Sequence, residues 1–379
     1  MKTIAAIGLA AALGALAAIG LPGGRAGAQT ADQLQAELAS AVDNDPTHLP
    51  GAILYASRPG KGTFLVAAGI ADITTGAALT TDAHFRAGSI LKTLIAVVVL
   101  ELAEEGKLRL DDPIAGLVPT DVASRFPRSG EITVRMLLNH TSGVPEWLND
   151  AMVGEIAANP ARVWTVNELL DRAAAQPAAF APGSGWAYSN TDYNLAGLVI
   201  EKVTGRPWRE AVAERIISRL KLTGTSLPAP GTVAIPEPTM HGYGLVNGAP
   251  ADLSYVDPSM ADAAGGGALV TTVADLATVL AAIREGTLFA DKATFATMAS
   301  FVAAQGPGGE VGYGLGLEKY LFPGGLEIIG HLGGTAGYRS GTFFVPKLDL
   351  SLAFAMSVEG DPTAVMLAAL KILAPEALH

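Results

Sequence analysis

The chain has 379 residues, half of them hydrophobic and 16% charged, with 44 Gly, 23 Pro, no Cys and a net charge of −11. That composition excludes a disordered or fibrous chain and describes a loop-rich globular protein with material for one large or two closely packed domains. Negative charge without a basic stripe excludes nucleic acid and anionic membrane surfaces as partners, and without cysteine there is neither a disulfide nor a thiol for lipid attachment.

From the N-terminus, Lys2, an apolar run over 3–21, Pro22-Gly23-Gly24-Arg25 and then Ala26-Gly27-Ala28 have the form of an export signal. Cleavage after Ala28 starts the mature chain at Gln29 and predicts a periplasmic or secreted location with no membrane span left. The rival is a retained anchor, because the run approaches the roughly 20 residues that cross a bilayer. Thr30-Ala31-Asp32-Gln33 reads as a capping box opening an amphipathic helix, with Leu34, Leu38, Ala41 and Val42 at helical spacing. Apolar runs at 52–56 and 63–68, joined by Arg58-Pro59-Gly60-Lys61-Gly62, predict a hairpin, and Phe85-Arg86 a further short strand.

Residues 87–106, AGSILKTLIAVVVLELAEEG, predict a helix beginning near Ser89 and ending at Gly106. Between Ile90 and Leu100 the only charge is Lys92, and the other residues are apolar on every face, the pattern of a buried helix. An unpartnered ammonium is costly there, so Lys92 should be paired or hold a pKa pulled toward neutrality. Ser89 stands three residues before it on the same helical face, where hydroxyl and amine can share a proton and make an activated nucleophile. The plainer reading has Ser89 capping the helix and Lys92 snorkelling to water.

From about 112 to 260 the chain turns to helices, prolines and loops, with helices predicted at 132–139, 166–175 and 192–204. Gly265-Gly266-Gly267 precedes Thr272, which caps a helix to Arg284 with Asp275 at the capping-box position. Strand patterns return at 313–317, 326–331, 341–345 and 350–356, and 363–373 closes as a helix. The expectation is an α/β (α+β) fold: one antiparallel sheet built from N- and C-terminal segments (29–111 and 261–379), flanked by helices, with a mostly helical domain (112–260) inserted between them.

Two further clusters carry chemistry. Tyr188-Ser189-Asn190 follows the loop Pro182-Gly183-Ser184-Gly185, where a tyrosine hydroxyl can exchange a proton with Ser89 if its pKa falls beside an ammonium, and an asparagine offers donor and acceptor to an amide. His331-Leu332-Gly333-Gly334 ends an apolar strand whose glycines admit a substrate backbone, and a free N–H there can join that of Ser89 as an oxyanion hole. Read blandly, these are a half-buried tyrosine in a surface loop and a histidine beside a glycine-rich bulge.

Taken in order, Ser89-x-x-Lys92, Tyr188-x-Asn190 and His331-x-Gly333 resemble the three motifs of the class C β-lactamase and serine D-alanyl-D-alanine carboxypeptidase family. Lys107-Leu-Arg-Leu-Asp-Asp-Pro113, Leu137-Leu-Asn-His-Thr-Ser-Gly143 and Ala264-Gly-Gly-Gly-Ala-Leu-Val270 are also similar, and the resemblance covers residues 29–356. It implies a β-lactamase/transpeptidase-like fold and an exported serine hydrolase working through an acyl-enzyme. In that scheme Ser89 is the nucleophile, Lys92 its proton partner and Tyr188 the general base and acid. Asn190 binds the substrate amide, His331 lines the opposite wall, and Ser89 with Gly334 supplies the oxyanion N–H groups. His140 belongs to a family signature outside the chemistry. No cofactor and no metal is implied.

Two departures shape the substrate expectation. His331 stands where β-lactamases of the group carry lysine, which tilts the reading toward carboxypeptidases and esterases. Leu332 replaces a threonine that helps hold a substrate carboxylate, a contact that Thr335 or Arg339 can take over. A D-alanyl-D-alanine carboxypeptidase-like peptidase is therefore expected first. A broad carboxylesterase, a D-amino-acid amidase, a β-lactamase and a non-catalytic penicillin- or peptide-binding protein stand as alternatives. The partner in each case is a small-molecule or peptide substrate: a D-amino-acid peptide, an ester or a β-lactam. His-Glu-x-x-His and Gly-x-Ser-x-Gly are absent, which disfavours a zinc hydrolase and an α/β-hydrolase.

Overall fold

The computed structural model describes residues 25–45, 49–246, 249–265, 267–306, 309–322 and 325–378. The expected export signal falls almost wholly outside these residues. Among the described residues no helix is long and apolar enough to cross a membrane. The strands in chain order are β1 (Gly51–Arg58), β2 (Gly62–Asp72), β3 (Ala77–Ala78), β4 (Phe85–Arg86), β5 (Tyr243–Val246), β6 (Ala249–Asp252), β7 (Val270–Thr271), β8 (Val302–Ala303), β9 (Glu310–Tyr313), β10 (Glu318–Phe322), β11 (Leu326–Thr335), β12 (Tyr338–Val345) and β13 (Leu350–Met356).

Nine of them form one antiparallel sheet in the order β3-β2-β1-β13-β12-β11-β10-β9-β8. The first three come from one end of the chain and the other six from the other, and they join where Ala52 faces Met356 and Ser57 faces Ser351. This is the mixed α/β architecture expected. Both faces of the sheet are covered, which is why β1 and β13 are apolar almost throughout instead of alternating. On one face helix α1 (Arg25–Asp43) and the closing helix Thr363–Leu373 pack with Leu34, Leu38 and Phe354 in a shared core. On the other lie α2 (Leu91–Glu104) and the helical middle of the chain, which share a larger core.

Three expectations are corrected. Helix α1 begins at Arg25, so Thr30 sits inside it and the Thr30–Gln33 pattern is not a capping box. No strand spans 313–317: β9 ends at Tyr313, and the turn Gly314–Leu317 leads into β10. There Gly316 holds φ +74 and the Gly314 N–H donates to Leu317 O at 2.7 Å. Helix 192–204 starts two residues earlier, at Asn190, which moves that residue into the first turn. Other expectations stand: β13 and the helix Thr363–Leu373 have the predicted bounds, and the Thr272 hydroxyl accepts the Asp275 N–H.

Candidate active site

α2 is preceded by a tight turn, Gly88–Ile90, that carries Ser89 out of the two-residue strand β4. Every residue of α2 from Leu91 to Leu102 is buried. A helix apolar on all faces can only sit in the middle of the molecule, and its first turn is fixed with it. Main chain then grips the turn from both sides. Gly88 adopts φ +57, where a Cβ would lie 2.6 Å from Gly334 O, and Gly265 adopts φ +124, where a Cβ would lie 2.6 Å from Gly88 O. A Cβ on Gly333 would collide with Ala87 O. These glycines let β11 and the 265 loop close onto Ser89 at backbone distance.

Lys92 is fully buried. Its Nζ donates to Ser89 Oγ at 3.0 Å, Asn190 Oδ1 at 2.8 Å and Ala264 O at 2.5 Å. Burial pulls its pKa down to about 7, against the opposing pull of Glu146, Glu318 and Asp192. Close to neutrality, then, the amine is deprotonated in a large share of molecules, and its free lone pair faces the serine hydroxyl.

Tyr188 lies across the same pair. Its hydroxyl hydrogen-bonds Ser89, and its ring centroid is 4.8 Å from Lys92 Nζ. The expected fall of its pKa does not occur: burial, with Glu318 and Glu310 adding to it, pushes the phenol well above its ordinary value. The hydroxyl stays protonated, which leaves Lys92 as the better-placed base. Beneath Tyr188, the His140 ring stands 4.5 Å away, its Nδ1 3.0 Å from Asp192, whose other oxygen accepts the Ser142 hydroxyl at 2.5 Å.

Asn190 is committed on two sides. Besides accepting from Lys92, its backbone N–H donates to Glu146 Oε2 at 2.6 Å and its side chain hydrogen-bonds the same carboxylate. Asn190 thus links Lys92 to Glu146, a tie that the expected substrate-amide role did not include. Glu146 also accepts the Leu148 N–H at 2.7 Å.

Above these groups opens a cleft of about 1270 Å³. Ser89, Tyr188, Asn190 and Gly334 line it. The rest of its wall includes Glu146, Trp147, Trp186, Glu310, Glu318, Tyr320, Leu332, Arg339 and Glu359. His331, Gly333 and Thr335 do not line it, which corrects the expected place of His331 on the cleft wall. Side chains alternate along a strand, and in β11 Leu332 and Gly334 take the cleft face while 331, 333 and 335 take the other. His331 is buried, with Nδ1 donating to Leu332 O at 2.5 Å and Nε2 accepting from the Tyr313 hydroxyl at 2.9 Å. Burial lowers its pKa to about 3, so it is neutral, and its 3.4 Å approach to Glu318 is no ion pair.

The carboxylates of the cleft were missed in the sequence. Glu318 and Tyr320 share a face of a strand otherwise rich in apolar residues, and a buried acid there is the same kind of anomaly as Lys92. Glu146, a single acid in a proline-containing loop, carries no such signal.

Comparisons with known proteins agree with the fold. A family model described as Beta-lactamase matches residues 34–375. An esterase from Burkholderia gladioli is 35% identical over 172 residues, 43% of each chain, and penicillin-binding protein 4 of Amycolatopsis lactamdurans is 30% identical over 46% of this chain and 44% of its own. The match therefore spans less than half the length of these relatives. Among solved structures, a D-stereospecific amidohydrolase from Streptomyces has 36% identity and a TM-score of 0.79, covering 89% of this chain and 98% of its own. A D-amino acid amidase from Ochrobactrum anthropi, complexed with L-phenylalanine amide, has 26% identity and a TM-score of 0.78 over 92% and 99%.

Proposed function

Since the chain belongs to the beta-lactamase family, we propose that it is a serine hydrolase that cleaves D-amino-acid amides and short D-amino-acid peptides through an acyl-enzyme on Ser89. The observation that carries the chemistry is the 3.0 Å contact between Ser89 Oγ and a lysine amine whose pKa burial brings to about 7. Neutral Lys92 takes the proton from Ser89 as Oγ bonds to the substrate carbonyl carbon, and the carbonyl π electrons move onto oxygen. Backbone N–H groups of Ser89 and Gly334 receive that oxyanion. Its collapse breaks the bond to the leaving group, which takes a proton from the Tyr188 hydroxyl as the Lys92 ammonium restores that proton. Water then repeats the sequence on the acyl ester and frees the acid.

The choice of substrate rests on the charge of the wall nearest the serine. Glu146 is held by two backbone N–H groups beside Asn190, where it can face the free α-ammonium of an amino-acid amide. The 36%-identical Streptomyces structure is of a D-stereospecific amidohydrolase, which supports the same substrate class. A carboxypeptidase reading keeps one observation of its own. Arg339 lines the cleft beside Gly334, where a guanidinium can receive a terminal carboxylate that Leu332 cannot. Thr335, buried and off the cleft wall, offers no such contact.

The test is a panel of D- and L-phenylalanine amide, D-alanyl-D-alanine peptide, p-nitrophenyl butyrate and benzylpenicillin, with the adduct on Ser89 followed by intact mass. The expected result is that the D-amide is hydrolysed at least about tenfold faster than the L-amide, the size of discrimination that one well-placed contact supplies. Hydrolysis of the peptide with the amides left intact transfers the reading to the carboxypeptidase. Equal rates for D- and L-amides remove the stereochemical claim.

A further inference from the structure

The stretch Leu137–Gly143 takes no part in the chemistry at Ser89, yet it lies directly behind Tyr188. It closes the helix Val134–Leu138 with a turn in which His140 adopts φ +61, a left-handed conformation uncommon for a residue with a Cβ. In that conformation His140 holds the Tyr188 loop at three points. Its backbone O accepts the Ala187 N–H at 3.1 Å, its Nδ1 accepts the Ser189 N–H at 3.3 Å, and its ring lies 4.5 Å from that of Tyr188, between the two anchored neighbours. The same turn registers the rest of the loop: Thr141 O accepts the Gly183 N–H at 2.8 Å and Gly143 O the Ala179 N–H at 3.0 Å.

The imidazole is itself held. It is fully buried, with the rings of Tyr193 and Tyr313 at 5.4 and 4.6 Å. Its Nε2 has no hydrogen-bond partner among the described residues, so the polar contacts that orient the ring all fall on Nδ1. Nδ1 can accept the Ser189 N–H only without a proton of its own, which puts the proton of its 3.0 Å contact with Asp192 on the acid. Burial agrees, pushing the pKa of Asp192 well above its ordinary value and that of His140 well below. Asp192 is set in turn by the Ser142 hydroxyl, whose oxygen accepts the Val144 N–H at 2.9 Å. His140, Ser142 and Asp192 do not line the cleft, whereas Tyr188 does, so any effect they have on the reaction passes through the tyrosine.

We propose that His140 is a positioning residue for leaving-group protonation: it holds the Tyr188 phenol where the departing atom can take its proton. As the bond between the carbonyl carbon and the leaving group breaks, its electron pair passes to the leaving atom, which takes the phenol proton, and Lys92 returns one to the phenol. The role rests on the acyl-enzyme reading and is independent of which acyl group is cleaved.

Two esters that share an acyl group, p-nitrophenyl butyrate and ethyl butyrate, test it. p-Nitrophenolate departs as a stable anion, whereas ethoxide needs a proton as it leaves. His140→Asn tolerates the left-handed turn and removes the ring. It should lower kcat/KM for the ethyl ester by about a hundredfold, the effect of misplacing a reacting group by about 1 Å, and for the p-nitrophenyl ester by less than about threefold. In a Tyr188→Phe background the same substitution should cause no further loss on the ethyl ester, because the group it positions is gone. Asp192→Ala, which frees the imidazole from the acid on Nδ1, should give the same contrast between esters and decides the matter if His140→Asn fails to fold. An equal loss on both esters, no loss on either, or a full second loss in the Tyr188→Phe background overturns the role. The expected contrast without any hydrolysis of D-phenylalanine amide removes the D-amino-acid class and leaves His140 in place. Hydrolysis of the D-amide by the wild-type chain, with a uniform loss across the esters in the variant, removes the role of His140 alone.

Discussion

Replacing Lys92 by Met should lower kcat/KM for p-nitrophenyl butyrate by about 10³-fold, the middle of the range for loss of a positioned base. Ser89→Ala should remove the covalent adduct and take activity to the level that binding groups alone sustain. The pH profile gives a sharper test of the role of Lys92. Its active form is the neutral amine, so the rate should rise with pH through a midpoint near 7 and level off above it. At pH 5 it should be about a hundredfold below the plateau. A flat profile between pH 5 and 8 would assign the base to another group.

Stability should carry the same signature with a definite sign. In the unfolded chain Lys92 titrates near 10.5 and in the folded chain near 7. Between these values the unfolded state binds more protons, so folding stability rises with pH across that window, by at most about 1.4 kcal/mol per unit. Below it the amine is charged in both states and its burial cost is at its greatest. Lys92→Met lacks the titration, so wild type should gain about 2 kcal/mol on the variant between pH 7.5 and 9 in urea melts. Parallel curves for the two proteins would contradict the burial argument.

The second large effect is expected at Gly333. Alanine there drives its Cβ into Ala87 O and to 2.5 Å from Ser340 Oγ. Neither can move cheaply, because the Ala87 N–H donates to Leu269 O at 2.9 Å and Ala87 O accepts the Ser340 hydroxyl at 2.9 Å. Gly333→Ala should cost about 3 kcal/mol or more in stability, as overpacking against backbone does. It should also displace the turn that carries Ser89 and lower turnover with it. Gly154→Ala is the control: a Cβ at Gly154, inside the helix Asp150–Ala158, meets nothing within 4 Å. Alanine should stabilise the protein there by about 0.5–1 kcal/mol. A Gly333 variant as stable as that control would contradict the close packing of β11 on the turn.

How much of this was legible in the residues depends on the length of the signal. A lysine alone in an eleven-residue apolar stretch has few physical explanations, and its burial, its serine partner and its shifted pKa all follow from that anomaly. The bounds of β13 and of the helix Thr363–Leu373 were readable because long apolar runs ended at turn residues. Residues 313–317 misled for a local reason: Tyr313, Leu315 and Leu317 alternate as a strand does, yet Gly316 at φ +74 turns the chain and the apolar side chains enter the core from a bend. The face of His331 was unreadable, since a strand covered on both sides has no polar face to set the register. The role of Asn190 was hidden because its partner Glu146 lies 44 residues away and meets it only through the fold.

The clasp of main chain around the Ser89 turn also separates two tasks. Gly88, Gly265 and Gly333 hold the reacting oxygen through atoms common to every residue, while the lining at 148, 303–305, 310, 311, 332 and 359 arrives from segments remote in sequence. Libraries randomised at those lining positions would vary what is accepted without moving the group that reacts, which makes this chain a usable chassis for directed evolution toward unlike acyl donors.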